Sequence, residues 1–268
     1  MDEDRAIAVS PRHTVMLATE LFLLVERPPR QDFVVRTLAR REANGLPLMN
    51  AEMVIASAET RAAHPGAASY PLHFRKTYFP GRMNGDPQIE FENHLLASQL
   101  STIPPPLGHE PNVFRSCLIP GQPYARISPF GRDPPESNIA VAQKLVLPSA
   151  AGLWRLAQET FAQLTALHAG GLAHGDAELH NVIVSPSPLE TVLIDFEVAV
   201  RRAELNNEVD WQARCARDAE PLLREAVFLQ CALGQQPGPL ADLATSCVEK
   251  LFKEPERFRQ AIENQTKA

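Results

Sequence analysis

Three side chains in the second half of the chain, Asp176, Asn181 and Asp195, have the types and the spacing to work on a phosphate. His174-Gly175-Asp176 is followed, five positions after the aspartate, by Asn181. Fourteen positions further on comes Asp195, in Leu193-Ile194-Asp195-Phe196-Glu197. Moving a phosphoryl group to a hydroxyl needs one carboxylate to orient or deprotonate the attacking oxygen. It also needs an amide and a second carboxylate to hold divalent cations against the phosphates. Asp176 is the candidate for the first task, and Asn181 and Asp195 are the candidates for the second. A lone His-Gly-Asp or a lone Asp-Phe would be an ordinary loop edge; the signal is all three in register.

Those residues must be carried by particular elements. Val182-Ile183-Val184 and Val192-Leu193-Ile194 are apolar or β-branched runs, and Ser185-Pro186-Ser187-Pro188 between them is turn chemistry. The pattern predicts a hairpin, with Asn181 entering one strand and Asp195 leaving the other. A helix is expected over 150–169, with Leu153, Leu156, Phe161, Leu164 and Leu167 mainly on one side and Gly170-Gly171 closing it. Two more helices should follow Asp195. Leu222, Ala226, Leu229 and Leu233 stripe the first; Leu240, Leu243, Ala244, Cys247, Val248, Leu251 and Phe252 stripe the second.

The first 120 or so residues read as strands. Segments 33–38, 53–56 and 69–79 have strand character, and Asn44-Gly45 is a possible hairpin turn between the first two. Asp86-Pro87 opens a helix as N-cap and first-turn proline. Ile89, Glu92, Leu96 and Leu100 are expected to share its inner face, and Ile103-Pro104-Pro105-Pro106 to stop it. A further strand is expected over 112–119, then a Pro-rich irregular connection over 123–148.

At 268 residues, with 44% hydrophobic and 22% charged residues, the chain has the composition of an ordinary globular protein. A net charge of −6 leaves no electrostatic footprint for nucleic acid or an anionic membrane. Cys117, Cys215, Cys231 and Cys247 form no Cys-x-x-Cys pair and read as small core residues. The N-terminus is acidic where a secretory signal would be basic. The apolar run over 15–25 contains Glu20 and is too short to span a bilayer. The expectation is a cytoplasmic protein with no membrane span; the sequence carries no readable oligomeric state.

Strands, a helix among them, a linker, then a helix leading into His-Gly-Asp-x-x-x-x-Asn and Asp-Phe resemble the protein-kinase-like superfamily. The resemblance covers about residues 69–197 and is anchored in 172–197. In motif style it is similar to the aminoglycoside phosphotransferase and choline kinase group and to minimal atypical kinases; Glu197 after Asp-Phe is of the choline kinase type. It implies an α+β, bilobal protein-kinase-like fold. Residues 1–119 would form a strand-rich N-terminal lobe, and 120–268 a short, mainly helical C-terminal lobe. It implies ATP and Mg2+ as cofactors, Asp176 as the catalytic residue, and Asn181, Asp195 and Glu197 around the metal. It also implies a lysine on the third strand, paired to a glutamate on the neighbouring helix. Lys76 is the only lysine among the first 143 residues. Glu92 would be its counterpart, because Glu90 lies about 200° away around the helix. Cys117 to Ile119 would lie against the adenine.

The departures carry information too. No Gly-x-Gly-x-x-Gly precedes Lys76, and segments 41–46 and 64–69 are the two candidates for the phosphate-covering loop. Gly175 stands where regulated protein kinases carry an arginine that pairs with a phosphorylated loop, and no Ala-Pro-Glu follows. Glu178 stands where Ser/Thr kinases carry a lysine. His174 reads as a structural bracket and His180 as a loop residue. The leading expectation is transfer of the γ-phosphoryl group of ATP to a hydroxyl acceptor, a small molecule or sugar-like compound. The alternatives are an atypical protein Ser/Thr kinase, a nucleotide-binding pseudokinase serving as a partner-binding module, and transfer of AMP on the same scaffold.

Overall fold

The computed structural model describes residues 26–43, 46–79, 85–127, 149–186, 189–234 and 236–251. The chain divides into two compact units, one of residues 1–88 and 106–118, the other of 89–105 and 119–268. The class is α+β, with an antiparallel sheet early in the chain and helices later.

The first unit is built on β1 (Phe33–Ala43), β2 (Leu46–Ile55), β3 (Leu72–Tyr78), β4 (Pro106–Glu110) and β5 (Val113–Cys117). They form one antiparallel sheet in the order β1-β2-β3-β5-β4. Strand β4 was not expected, because prolines argue against strands. It lies at the sheet edge, where Pro106 owes no ladder hydrogen bond. The expected turn at Asn44-Gly45 lies outside the described residues.

Two short helices, α1 (Ala58–Ala63) and α2 (Pro65–Ser69), connect β2 to β3. Ser57 caps α1, its hydroxyl accepting from the Thr60 amide at 3.1 Å. Helix α2 removes one candidate for the phosphate-covering loop. Segment 64–69 is largely helical, and Gly66 packs so closely that a Cβ there would lie 3.0 Å from the Leu107 Cα.

A buried ionic network braces this unit. Asp32 accepts from the Ser57 amide at 2.9 Å, the Thr60 hydroxyl at 2.8 Å and Arg75 at 3.2 Å, and pairs with Arg115 at 2.8 Å. Arg75 also reaches Glu52 at 2.7 Å, and Arg115 reaches Glu110 at 3.0 Å. Burial works against the Asp32 charge, but the Ser57 amide and Arg115 prevail and hold its pKa down at about 2. Arg115 donates to His73 Nε2 at 3.0 Å, so that nitrogen must offer a lone pair and the ring is neutral. Burial and the adjacent guanidinium push the His73 pKa down to about 4.

The second unit contains most of α3 (Pro87–Leu100), then β6 (Gln122–Pro123), α4 (Ala150–Ala169), β7 (Leu172–Ala173), β8 (Val182–Pro186) and β9 (Leu189–Leu193). It continues with β10 (Val200–Arg201), α5 (Glu208–Leu233) and α6 (Pro239–Leu251). Helix α4 begins at a Ser149 cap and buries Leu153, Leu156, Leu164 and Leu167 against Leu222, Leu229 and Leu240 of α5 and α6. Each leucine buried this way contributes about 2 kcal/mol. The expected β8–β9 hairpin is present, as is the three-stranded order β6-β8-β9. In α6, Leu240, Ala241 and Ala244 are buried while Leu243 is exposed; the stripe from Cys247 onward lies outside the residues whose side chains are described.

Helix α3 keeps only part of the expected face inward: Leu96 and Leu100 pack against the core, whereas Ile89 is 49% exposed and Glu92 is exposed, and Glu90, Asn93, His94 and Ala97 are buried. An apolar stripe predicts the inner face only where the partner surface is apolar. Here part of that surface is backbone carbonyls, which select polar side chains.

Candidate active site

The loop from His174 to Asn181 is held by polar side chains on the helices behind it. Asp218, buried in α5, accepts from the His174 amide at 2.6 Å and the Gly175 amide at 2.9 Å. The same carboxylate lies 3.0 Å from His168 Nε2. Gln163 of α4 donates to the Thr191 carbonyl at 2.6 Å and accepts from the Leu193 amide at 3.2 Å, fixing β9 to the helix.

Gly175 has φ +84, and a Cβ there would lie 2.2 Å from the Val198 carbonyl oxygen. Glycine is required for both reasons. The Asp176 amide donates to His174 Nδ1 at 3.3 Å, so Nε2 carries the hydrogen it donates to the Ile194 carbonyl at 3.0 Å. Full burial keeps the His174 pKa below its ordinary value, despite the nearby carboxylates of Asp218, Asp195 and Asp176. A neutral, fully engaged ring is a bracket rather than a base.

Asn181 Nδ2 donates to the Asp176 carbonyl at 2.9 Å and to its carboxylate at 3.0 Å. The Asn181 carbonyl accepts from the Ile194 amide at 2.9 Å, which places Asp195 one residue beyond the joined strands. Asp195 has φ +68, a left-handed conformation uncommon outside glycine that aspartate adopts more readily than most side chains. The Phe196 ring sits between two imidazoles, 4.7 Å from His174 and 5.3 Å from His94 of α3. Glu197 is half-buried. Glu178 is half-buried, and its carbonyl accepts from the Asn181 amide at 2.8 Å. His180 is exposed, with Nε2 4.0 Å from the Asp176 carboxylate.

The other expected residues are placed as follows. Lys76 is 2% exposed in the middle of β3, its Nζ 5.3 Å from the centre of the Tyr78 ring. Cys117, at the end of β5, is a half-buried free thiol whose pKa burial raises. Ile119 packs against the core of the second unit. Glu92 is exposed and reaches Arg201 at 3.4 Å, whereas Glu90, one position to the other side of Phe91, is 1% exposed. Sequence reasoning missed Asp218, Gln163 and Asn93. Asp218 had a readable signal: an acid in line with the apolar stripe of Trp211, Cys215, Leu222, Ala226 and Leu229.

Asn181, Asp195 and Glu197 offer oxygen atoms for a cation, the donor set that suits Mg2+. Among the described residues, no three His, Cys, Asp or Glu side chains converge as a metal cage. Two carboxylates with one amide suit an ion that takes its remaining ligands from phosphates and water. No helix among the described residues is long and apolar enough to cross a membrane.

No family model matches the chain, and no curated protein matches it. Among solved structures, it is similar to the Rio2 kinase of Chaetomium thermophilum, crystallised as an ADP/Mg2+-phosphoaspartate complex. Identity is 14%, covering 92% of this chain and 74% of that one, with a TM-score of 0.48. It is also similar to the PK-1 kinase of the Cydia pomonella granulovirus, at 13% identity, covering 71% of this chain and 59% of that one, with a TM-score of 0.43. Both likenesses are distant.

Proposed function

We propose that the chain is an ATP- and Mg2+-dependent phosphotransferase that moves the γ-phosphoryl group to a hydroxyl acceptor. The observation that carries this is the direct link of Asp176 to Asn181, with Asp195 held in a left-handed conformation one residue past the strand bonded to Asn181. Asp176 orients the acceptor hydroxyl and takes its proton as the oxygen attacks phosphorus. Asn181 and Asp195, with Glu197, hold Mg2+, which neutralises charge on the phosphates. Lys76 binds the nucleotide phosphates, and Cys117 to Ile119 line the adenine. Glu92 of α3 is the carboxylate proposed to steady Lys76, and Glu92→Gln, with Glu90→Gln as its control, tests that role. The site works by positioning and charge neutralisation.

The acceptor is proposed to be a small or sugar-like molecule. The short stretch between Asp195 and Asn207 supports this, since it is taken up by β10 and a 3-10 turn and offers little length on which to lay a peptide. The test is a thermal-shift titration with Mg-ATP followed by phosphate release. Wild type should be stabilised and turn over ATP, and Asp195→Ala should lose metal-dependent turnover. Wild-type rates in Asp195→Ala would sink the assignment.

A further inference from the structure

Resting on the phosphotransferase reading above, we propose that Asn93 of α3 is a positioning residue that sets the backbone turn behind Asp195. The turn is closed by the Ala199 amide donating to the Phe196 carbonyl at 3.2 Å. Asn93 is 3% exposed, and its Nδ2 donates to both carbonyls of this turn, Ala199 at 3.1 Å and Phe196 at 3.4 Å. Its Oδ1 accepts from Arg201 Nε at 3.2 Å. Two acceptors on one side and a guanidinium donor on the other demand a carboxamide in this orientation. An aspartate of the same shape would face two carbonyl oxygens with a third acceptor. A leucine would leave both carbonyls buried without the bonds that Asn93 supplies.

The placement matters because Asp195, the residue before the turn, has φ +68. Aspartate enters that region more readily than most side chains, but its surroundings still decide whether it stays there. The β8–β9 hairpin fixes the chain before Asp195, through the Ile194 amide. Asn93 fixes it after, from a helix far away in sequence. The carboxylate is thereby held from both sides before any cation arrives. Helix α3 and the metal-holding turn then behave as one body, and Arg201 on the next strand keeps the carboxamide from rotating.

The experiment compares wild type with Asn93→Asp and Asn93→Ala by hydrogen–deuterium exchange on the full chain without ligand. Amides of 195–201 should exchange about tenfold faster or more in both variants, while those of α4 and β8 keep their rates. Arg201→Met should move them less, since both carbonyl bonds remain. With Mg2+ and ATP, the Mg2+ concentration for half-maximal turnover should rise about tenfold, with a smaller change in kcat. Unchanged exchange over 195–201, or faster exchange spread evenly through the second unit, overturns the proposal. Loosened 195–201 amides with an unmoved Mg2+ requirement also overturn it. If wild type neither binds nor turns over Mg-ATP, the phosphotransferase reading fails. The exchange result then still decides whether Asn93 sets the turn.

Discussion

In the first unit, Asp32 accepts from an amide, a hydroxyl and a guanidinium, and a second guanidinium lies 2.8 Å away; its side chain is 8% exposed. In the second unit, Asp176 accepts a hydrogen bond from Asn181 alone among the described residues, and its side chain is 39% exposed. The residue type is the same and the state of saturation is opposite. A carboxylate surrounded by donors holds shape and has nothing left for a substrate. One tethered by a single amide is oriented yet still open. Asp218 belongs to both kinds: it is saturated like Asp32, but its donors are the backbone of the loop that carries Asp176.

Substitutions can break that comparison, and the largest effect is expected at the open carboxylate. Asp176→Asn should lower phosphoryl transfer about a thousandfold, or about 4 kcal/mol in the barrier. It should shift the urea unfolding free energy by less than about 0.5 kcal/mol. A large loss of stability would place Asp176 with Asp32. Asp218→Ala should cost about 4 kcal/mol in the same unfolding experiment, because it strands two buried amides, and should abolish activity as well. Asp32→Ala leaves two arginines without their shared anion and should cost about 3 kcal/mol, seen as early unfolding of the first unit by exchange or proteolysis.

The smallest effect comes from pH. Folded His73 binds a proton only near pH 4, whereas the unfolded side chain does so near the ordinary histidine value of 6.5. Between those values the unfolded state holds more protons, so stability falls as pH drops, by about 1 kcal/mol for each pH unit. Asp32, lowered from 3.8 to about 2, adds a further loss below that window. Urea melts at pH 7, 5 and 4 should show the first decline, and His73→Gln should flatten it. A wild-type profile flat from pH 7 to 4 would mean that His73 titrates alike in both states.

What could be read from sequence was whatever is written locally. Helix α4 and its terminal glycines, the β8–β9 hairpin and the spacing of Asp176, Asn181 and Asp195 all sit within short windows. Strand β4 escaped because its prolines are tolerated only at an edge, and edges are a property of the assembled sheet. The anchors of the loop escaped for a related reason. Asn93 bonds Phe196 and Ala199 across more than a hundred positions, and Asp218 reaches back past forty to His174. A polar residue on a helix gives no local sign of which carbonyl it will meet. The face of α3 is legible only in part for the same reason: Leu96 and Leu100 meet the core, but Ile89 and Glu92 lie outside while Glu90, Asn93 and His94 are buried.

Gly175 bears on how such a protein could change over generations. With the backbone at φ +84 and the Val198 oxygen where a side chain would begin, no single replacement can install a phosphate-sensing arginine there. Acquiring control by a modified loop would demand rebuilding the bend around Val198 at the same time. Control of that kind is therefore closed to position 175 by its own backbone.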